Sequence, residues 1–169
     1  MGYDTDIEGC FHLDKPLDKA TADLIKGLCS TRRMKRDLTK LGMSKEEADD
    51  YGIEGEFYIP PKTNLFGMDR DASIIDFNTP PSTQPNLWCK WIYDESQNCI
   101  KWNGAEKFYK PELWIKYLVE NILDPGYKVN GKATFSCQYI DESGEIIIDD
   151  NKVTIIYAKS REENWDTFF

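Results

Sequence analysis

Asp69, Arg70, Asp71, Asp76 and Asn78 crowd five chemistry-bearing side chains into a ten-residue window. Carboxylates at this density are hard oxygen donors, suited to a divalent cation or to positioning a water molecule. The window lacks the glycine and terminal glutamate of a calcium-binding loop. The same groups serve equally to pin a loop, by accepting from backbone N–H groups and pairing with Arg70. A second set is cationic: Arg32, Arg33 and Arg36, with Lys35 among them, form the one basic cluster of the chain. Guanidinium forks match phosphate. One or two of these charges are also accounted for by the helix they follow, because a cation at a helix C-terminus stabilises it by roughly 0.3–1 kcal/mol. A third set is Trp102, Asn103, Lys107 and Tyr109, with Trp88 upstream. Rings, an amide and an ammonium suit a small-molecule site in which an aromatic face stacks on a base and cations hold an anion. Core packing is the competing reading for Trp102 and Tyr109.

No residue is assigned to catalysis. The chain has no Gly-x-Ser-x-Gly elbow and no phosphate-cradling glycine loop, and His12, its single histidine, would have to serve as the base. That histidine also rules out a multi-histidine metal site. No cofactor and no metal is expected. A hydrolase using the loop aspartates with a bound cation remains the enzymatic alternative.

The charge balance narrows the partners. Thirty acidic residues against 21 basic give a net charge of −9 and a pI near 4.7. This disfavours broad binding to a nucleic-acid backbone, which needs a positive field. It suits solubility, a basic protein partner, or mimicry of nucleic-acid charge. Five cysteines without a Cys-x-x-Cys spacing fit a reducing compartment, so a cytoplasmic location is expected. Cys89 and Cys137 fall on the apolar phase of strands and read as core residues. No run approaches the roughly 18 apolar residues of a membrane span. The opening MGYDTD is acidic, without the apolar stretch of a signal peptide or a myristoylation pattern.

The elements that must position these residues are legible from periodicity. Ile7, Gly9, Phe11 and Leu13 alternate with polar neighbours, which predicts a strand with His12 on its more polar side. Leu17, Ala20, Thr21, Leu24, Ile25 and Leu28 predict an amphipathic helix from 17 to 28. Ser44 and Glu47 form a capping box for a short helix ending at Gly52. Glu56 to Ile59 reads as an edge strand. Leu87 to Tyr127 holds four of the five tryptophans. It reads as a strand at 87–93, a return strand at 99–103 with a tight turn at Asn103-Gly104, and a helix from Pro111 to Leu123 stopped by Asp124-Pro125-Gly126. An Asn130-Gly131 turn precedes a strand from Lys132 to Ile140 with Ala133, Phe135, Cys137 and Tyr139 facing in. Two further strands, 145–148 and 153–157, follow. The tail carries Trp165, Phe168 and Phe169.

This order predicts an α+β fold: an antiparallel sheet with two helices on one face, a ferredoxin-like split β-α-β arrangement with added strands. The chain is expected to be a single domain, 1–169, with an insertion at about 31–86 covering the sheet. Residues 60–86 hold five prolines and no periodicity, yet Phe66, Ile74, Ile75 and Phe77 offer anchors for an ordered cover.

Several stretches carry a family likeness. GYDTD at 2–6, DRDASIIDFNTPPSTQPNLWCKW at 69–91, IKWNGAEKFY at 100–109 and GYKVNG at 126–131 resemble a family of small uncharacterised proteins of bacteria and their phages. The step at Asp124-Pro125-Gly126-Tyr127 departs from that family, which carries a tryptophan after the proline. The resemblance implies a shared fold and a phage or prophage setting, and no chemistry. The functional expectation is a non-enzymatic binding protein that inhibits a host defence component through an acidic, aromatic-containing surface. The alternative is a binder that sequesters a nucleotide-like anion through Arg32, Arg33, Arg36 and Arg70, with Trp88 or Trp102 stacked on the base.

Overall fold

The computed structural model describes residues 5–58, 72–137 and 143–158. Its strands are β1 (Thr5–Leu13), β2 (Lys35–Arg36), β3 (Ile74–Asp76), β4 (Trp91–Asp94), β5 (Cys99–Trp102), β6 (Val129–Cys137), β7 (Gly144–Asp149) and β8 (Lys152–Tyr157). Its α-helices are α1 (Lys19–Ser30), α2 (Lys45–Asp49) and α3 (Pro111–Leu118). The chain divides into two compact units, residues 1–18 with 90–169, and residues 19–89.

The first unit is a six-stranded antiparallel sheet of order β4-β5-β1-β6-β7-β8. The strands β4-β5-β1-β6, with α1 following β1 and α3 following β5 in sequence, have the split β-α-β order that the pattern predicts. The β7 and β8 strands extend it as a meander. Alternation does the sorting. Ile7, Phe11 and Leu13 of β1 are buried, as are Val129, Ala133 and Phe135 of β6, while Glu8, His12, Thr134 and Ser136 are exposed. The core centres on Trp91, whose ring meets Phe11 and Phe108 edge-on at 5.6 Å each. Such pairs add about 0.5–1.5 kcal/mol beyond the area they bury.

Helix α3 is tied to both outer strands. Trp91 Nε1 of β4 donates to Pro111 O at 2.9 Å, and the Tyr157 hydroxyl of β8 donates to Glu112 Oε2 at 2.9 Å. A flat sheet of this strand number is about 24 Å across at the usual spacing. Its two edges reach consecutive residues of one helical turn only because the sheet twists and curls.

The expected turn at Asn130-Gly131 is instead part of a continuous β6. Gly131 sits opposite Phe11 with φ +155°, and a Cβ there would lie 2.5 Å from Cys10 O. Gly9, at φ +107°, meets the backbone of Lys132 in the same way. Two strands pressed this close leave no room for a side chain, so these glycines mark a close crossing rather than a hairpin. The predicted extension of β6 to Ile140 lies outside the described residues beyond Cys137, as does the tail with Trp165, Phe168 and Phe169. The predicted main helix changes pitch after Leu118. Val119–Leu123 is a π turn, closed by Asp124 N donating to Val119 O at 2.8 Å.

In the second unit, α1 ends two residues later than periodicity predicts, at Ser30. Ser30 Oγ donates to Lys26 O and Thr31 Oγ1 to Gly27 O, both at 2.8 Å, bonding back one turn to carbonyls of the last turns. Gly27 on α1 lies against the Tyr58 ring. The capping box at Ser44 is half present: Ser44 Oγ accepts from Glu47 N at 3.1 Å. The expected strand from Glu56 does not form, because Glu56 is recruited as a buried hub. Its carbonyl accepts from Arg33 Nη1 at 3.1 Å and Gln84 Nε2 at 2.5 Å, and its carboxylate accepts from Thr83 Oγ1. A short β2–β3 pair, unforeseen in the sequence, sets Lys35 opposite Asp76. The predicted strand from Leu87 shortens to Trp91–Asp94.

Candidate functional site

The β5–α3 connection, residues 103–110, gathers one of the sequence-predicted sets. The β4–β5 register pairs Trp91 with Trp102, which brings Lys90 beside Asn103; Asn103 N donates to Lys90 O at 2.9 Å. Asn103 Oδ1 accepts from Ala105 N at 2.8 Å, and Trp102 Nε1 donates to Ala105 O at 3.0 Å. Lys107 and Lys110 both adopt left-handed backbone conformations, with φ of +62° and +54°. For non-glycine residues this costs on the order of 1–2 kcal/mol each. Phe108 lies between them fully buried, and its burial, roughly 1.5–3 kcal/mol, offsets much of that cost. Its carbonyl accepts from Thr5 Oγ1 at 3.2 Å. Tyr109 is turned outward and is 43% exposed.

The charge at this corner is unusual for so acidic a chain. Lys90 is half-buried and its ammonium donates to Glu106 O. Burial first, and then the positive charge of Lys107, hold the Lys90 ammonium below the usual lysine range. Lys107 and Lys110 lie on this connection, whose one carboxylate is that of Glu106, and the charge of Lys107 acts on Lys90.

The other predicted residues are placed elsewhere. Arg32, Arg33, Arg36, Asp76, Asn78 and Trp88 belong to the unit of residues 19–89, while Trp102, Lys107 and Tyr109 belong to the sheet unit. Arg32 stacks over Phe77 at 4.2 Å, donating from Nε to Phe77 O at 2.9 Å and from Nη2 to Asn78 Oδ1 at 3.0 Å. Arg33 is buried on the Glu56 carbonyl, and Arg36 Nη1 donates to Ser73 Oγ at 2.8 Å. These guanidiniums hold loop carbonyls and side chains; the sequence offered them as phosphate contacts, with one or two of the charges serving the end of α1. Asp76 accepts from Asn78 N at 2.9 Å and Thr79 Oγ1 at 2.7 Å, and these bonds hold its carboxyl below the usual range. That is the loop-pinning role considered for it. Asp69, Arg70 and Asp71 lie outside the described residues. Trp88 is half-buried without belonging to a strand.

Among the described residues no cluster of three or more His, Cys, Asp or Glu side chains is placed to hold a metal. The thiols are poor nucleophiles where their surroundings shift them. Cys99 is pushed up to about 11 by burial and by Cys10, and Cys29 is raised by its hydrogen bond to Cys89, at 3.8 Å between sulfurs, and by burial. Among the described residues no helix is long and apolar enough to cross a membrane. An open hollow of about 580 Å³ is lined by Ile92, Tyr93, Asp94, Glu95, Ser96 and Lys101. Its polar groups are already matched, Asp94 to Lys101 Nζ at 2.7 Å and to Ser96 N at 3.0 Å.

Sequence reasoning missed Lys90. Its place depends on the β4–β5 register, and an alternating run such as Trp88-Cys89-Lys90-Trp91 marks it only as an outward residue. No family model matches the chain, and no curated protein and no solved structure is found similar to it.

Proposed function

We propose that the protein is a non-enzymatic binding protein whose ligand carries a compact anionic group, seated at the Lys90–Lys107–Lys110 corner with Tyr109 beside it. The observation that carries this reading is a half-buried Lys90 ammonium held on the Glu106 carbonyl beside a connection whose lysines have left-handed backbones. The positive charge of Lys107 acts on the half-buried Lys90 ammonium, and the backbone of Lys107 and Lys110 is left-handed. Strain of that kind persists where the surroundings over-determine it, and it clusters at ligand sites. A phosphate or carboxylate supplies the missing counter-charge, and a ring stacked on Tyr109 would favour nucleotide-like ligands over inorganic anions. Calorimetry against inorganic phosphate, pyrophosphate and a nucleotide panel tests it. Binding that weakens at least tenfold in Lys90→Met/Lys107→Met supports the reading, and absence of heat across the panel defeats it.

A second reading rests on α2. Glu46, Glu47, Asp49 and Asp50 are exposed within one short helical stretch, and the nearby arginines are engaged with loop carbonyls and hydroxyls. An acidic face of this kind suits a basic surface on a host protein, in line with the phage or prophage setting implied by the resemblance. A host partner captured at low salt, released at high salt and lost on neutralising these four carboxylates supports it. Capture indifferent to those substitutions counts against it.

A further inference from the structure

Among the described residues, β8 is the last strand of the sheet and pairs only with β7. The Asp150-Asn151 turn has φ of +44° and +70°, the left-handed pair of a two-residue hairpin. In such a hairpin the flanking residues, Asp149 and Lys152, exchange hydrogen bonds, and bonded pairs then alternate along the strands. Thr154 and Ile156 therefore bond back to Ile147 and Glu145. The N–H and C=O groups of Val153, Ile155 and Tyr157 point away from β7, and among the described residues no backbone group meets them. Natural edges are blunted by proline, bulges or inward-pointing charge. The β8 strand has none of these, its single charge is Lys152 at its start, and Val153, Ile155, Ile156 and Tyr157 are only half-buried.

We propose that β8 pairs antiparallel with β8 of a second copy, centred on Ile155, so that two sheets join into one about a twofold axis. The strand is complementary to itself in this register. Ile155 faces the partner's Ile155, Val153 the partner's Tyr157, Thr154 the partner's Ile156, and Lys152 the partner's Ala158. Val153, Ile155 and Tyr157 meet apolar side chains or an aromatic ring, and no charge meets its like. The residues brought into bonded pairs are the ones whose backbone groups point outward. A shift by one residue would instead oppose groups that already bond to β7. The repulsion between two chains of net charge −9 acts against this contact, so it strengthens as salt screens the acidic bodies.

Sedimentation of the full chain over a concentration series, at low and high salt, reads the association. Hydrogen exchange at Val153, Ile155 and Tyr157 reads the edge. The expected result is a monomer–dimer equilibrium shifted toward dimer by salt, with protection of those amides rising with concentration. Ile155→Lys places two ammoniums face to face on the twofold axis and weakens association at least tenfold. Ile155→Pro does the same by removing an outward donor while leaving the bonds to β7 in place. Ile147→Lys, one strand inward, leaves association intact and controls for general loss of folding. A chain that stays monomeric at every concentration with freely exchanging β8 amides overturns the proposal. So does a dimer that survives Ile155→Lys.

Discussion

The sheet unit and the unit of residues 19–89 are held by different forces. Among the described residues, nineteen buried apolar side chains lie in the sheet unit, and four, Ile25, Leu28, Met34 and Cys89, lie in the other. Buried polar side chains run the opposite way, with Thr31, Arg33, Glu56, Ser73 and Gln84 in the second unit. The sheet is stabilised by area removed from water, which tolerates substitution in proportion to volume. The second unit depends on charge-assisted bonds to backbone groups, where losing one partner strands the other. Glu54 shows the pattern: it accepts from Ser82 N at 2.8 Å and pairs with Lys35 at 3.2 Å, and these bonds hold its carboxyl below the usual range.

Substitutions can break or sharpen that contrast. Trp91→Ala removes the ring that Phe11 and Phe108 pack against and is expected to cost about 4 kcal/mol in urea unfolding, within the usual range for a buried aromatic. A loss under about 1.5 kcal/mol would mean that the sheet core is organised elsewhere. Arg33→Met keeps bulk but removes the donors to Glu56 O and Thr31 Oγ1, at an expected cost of about 2–3 kcal/mol. A neutral outcome would show that apolar volume, not polar linkage, holds residues 19–89.

Next in size is an alkaline effect at the helix–sheet tie. Burial, then the hydrogen bond to Glu112, raise the Tyr157 phenol to about 12. A raised folded-state value contributes stability that is fully present below the unfolded value near 10 and is lost as pH climbs through 12. Solvent screening of this partly exposed group reduces the contribution to about 1 kcal/mol. Tyr157→Phe should flatten that part of the pH–stability curve, and an unchanged slope between pH 10 and 12 would refute the linkage. Smallest is Ser44→Ala, which deletes the cap oxygen that accepts from Glu47 N and should cost about 0.5–1 kcal/mol, read from thermal unfolding.

The same contrast explains what the sequence reveals. The sheet was readable because burial imposes a period: Ile7-x-x-x-Phe11-x-Leu13 and Ala133-x-Phe135 announce both strand and face. The split β-α-β order followed from those elements. Gly131 misled, because Asn130-Gly131 has turn chemistry while its strand partner fixes it in a ladder. Apart from the helix capped by Ser44, residues 31–58 and 72–89 resisted reading because their order rests on bonds without a period. Nothing local says that Arg33 will find the carbonyl of Glu56 and not a phosphate. The lysine corner was half legible. Lys107 and Tyr109 stand out as a charged and aromatic pair, whereas Lys90 joins them only once two strands have chosen their register.

The pairing of β1 has a consequence for the order of events as the chain is made. Its partners are β5 and β6, with Phe11 opposite Ile100 and Thr5 opposite Cys137. This strand precedes its partners by about 85 residues or more, so much of the sheet unit must be made before either of its flanks is covered. Long-range closure of this kind slows folding, in contrast to the β7–β8 hairpin, which needs only its own turn. A nascent chain halted before residue 137 would therefore present an unshielded apolar ribbon, and chaperone engagement should be heaviest in that interval.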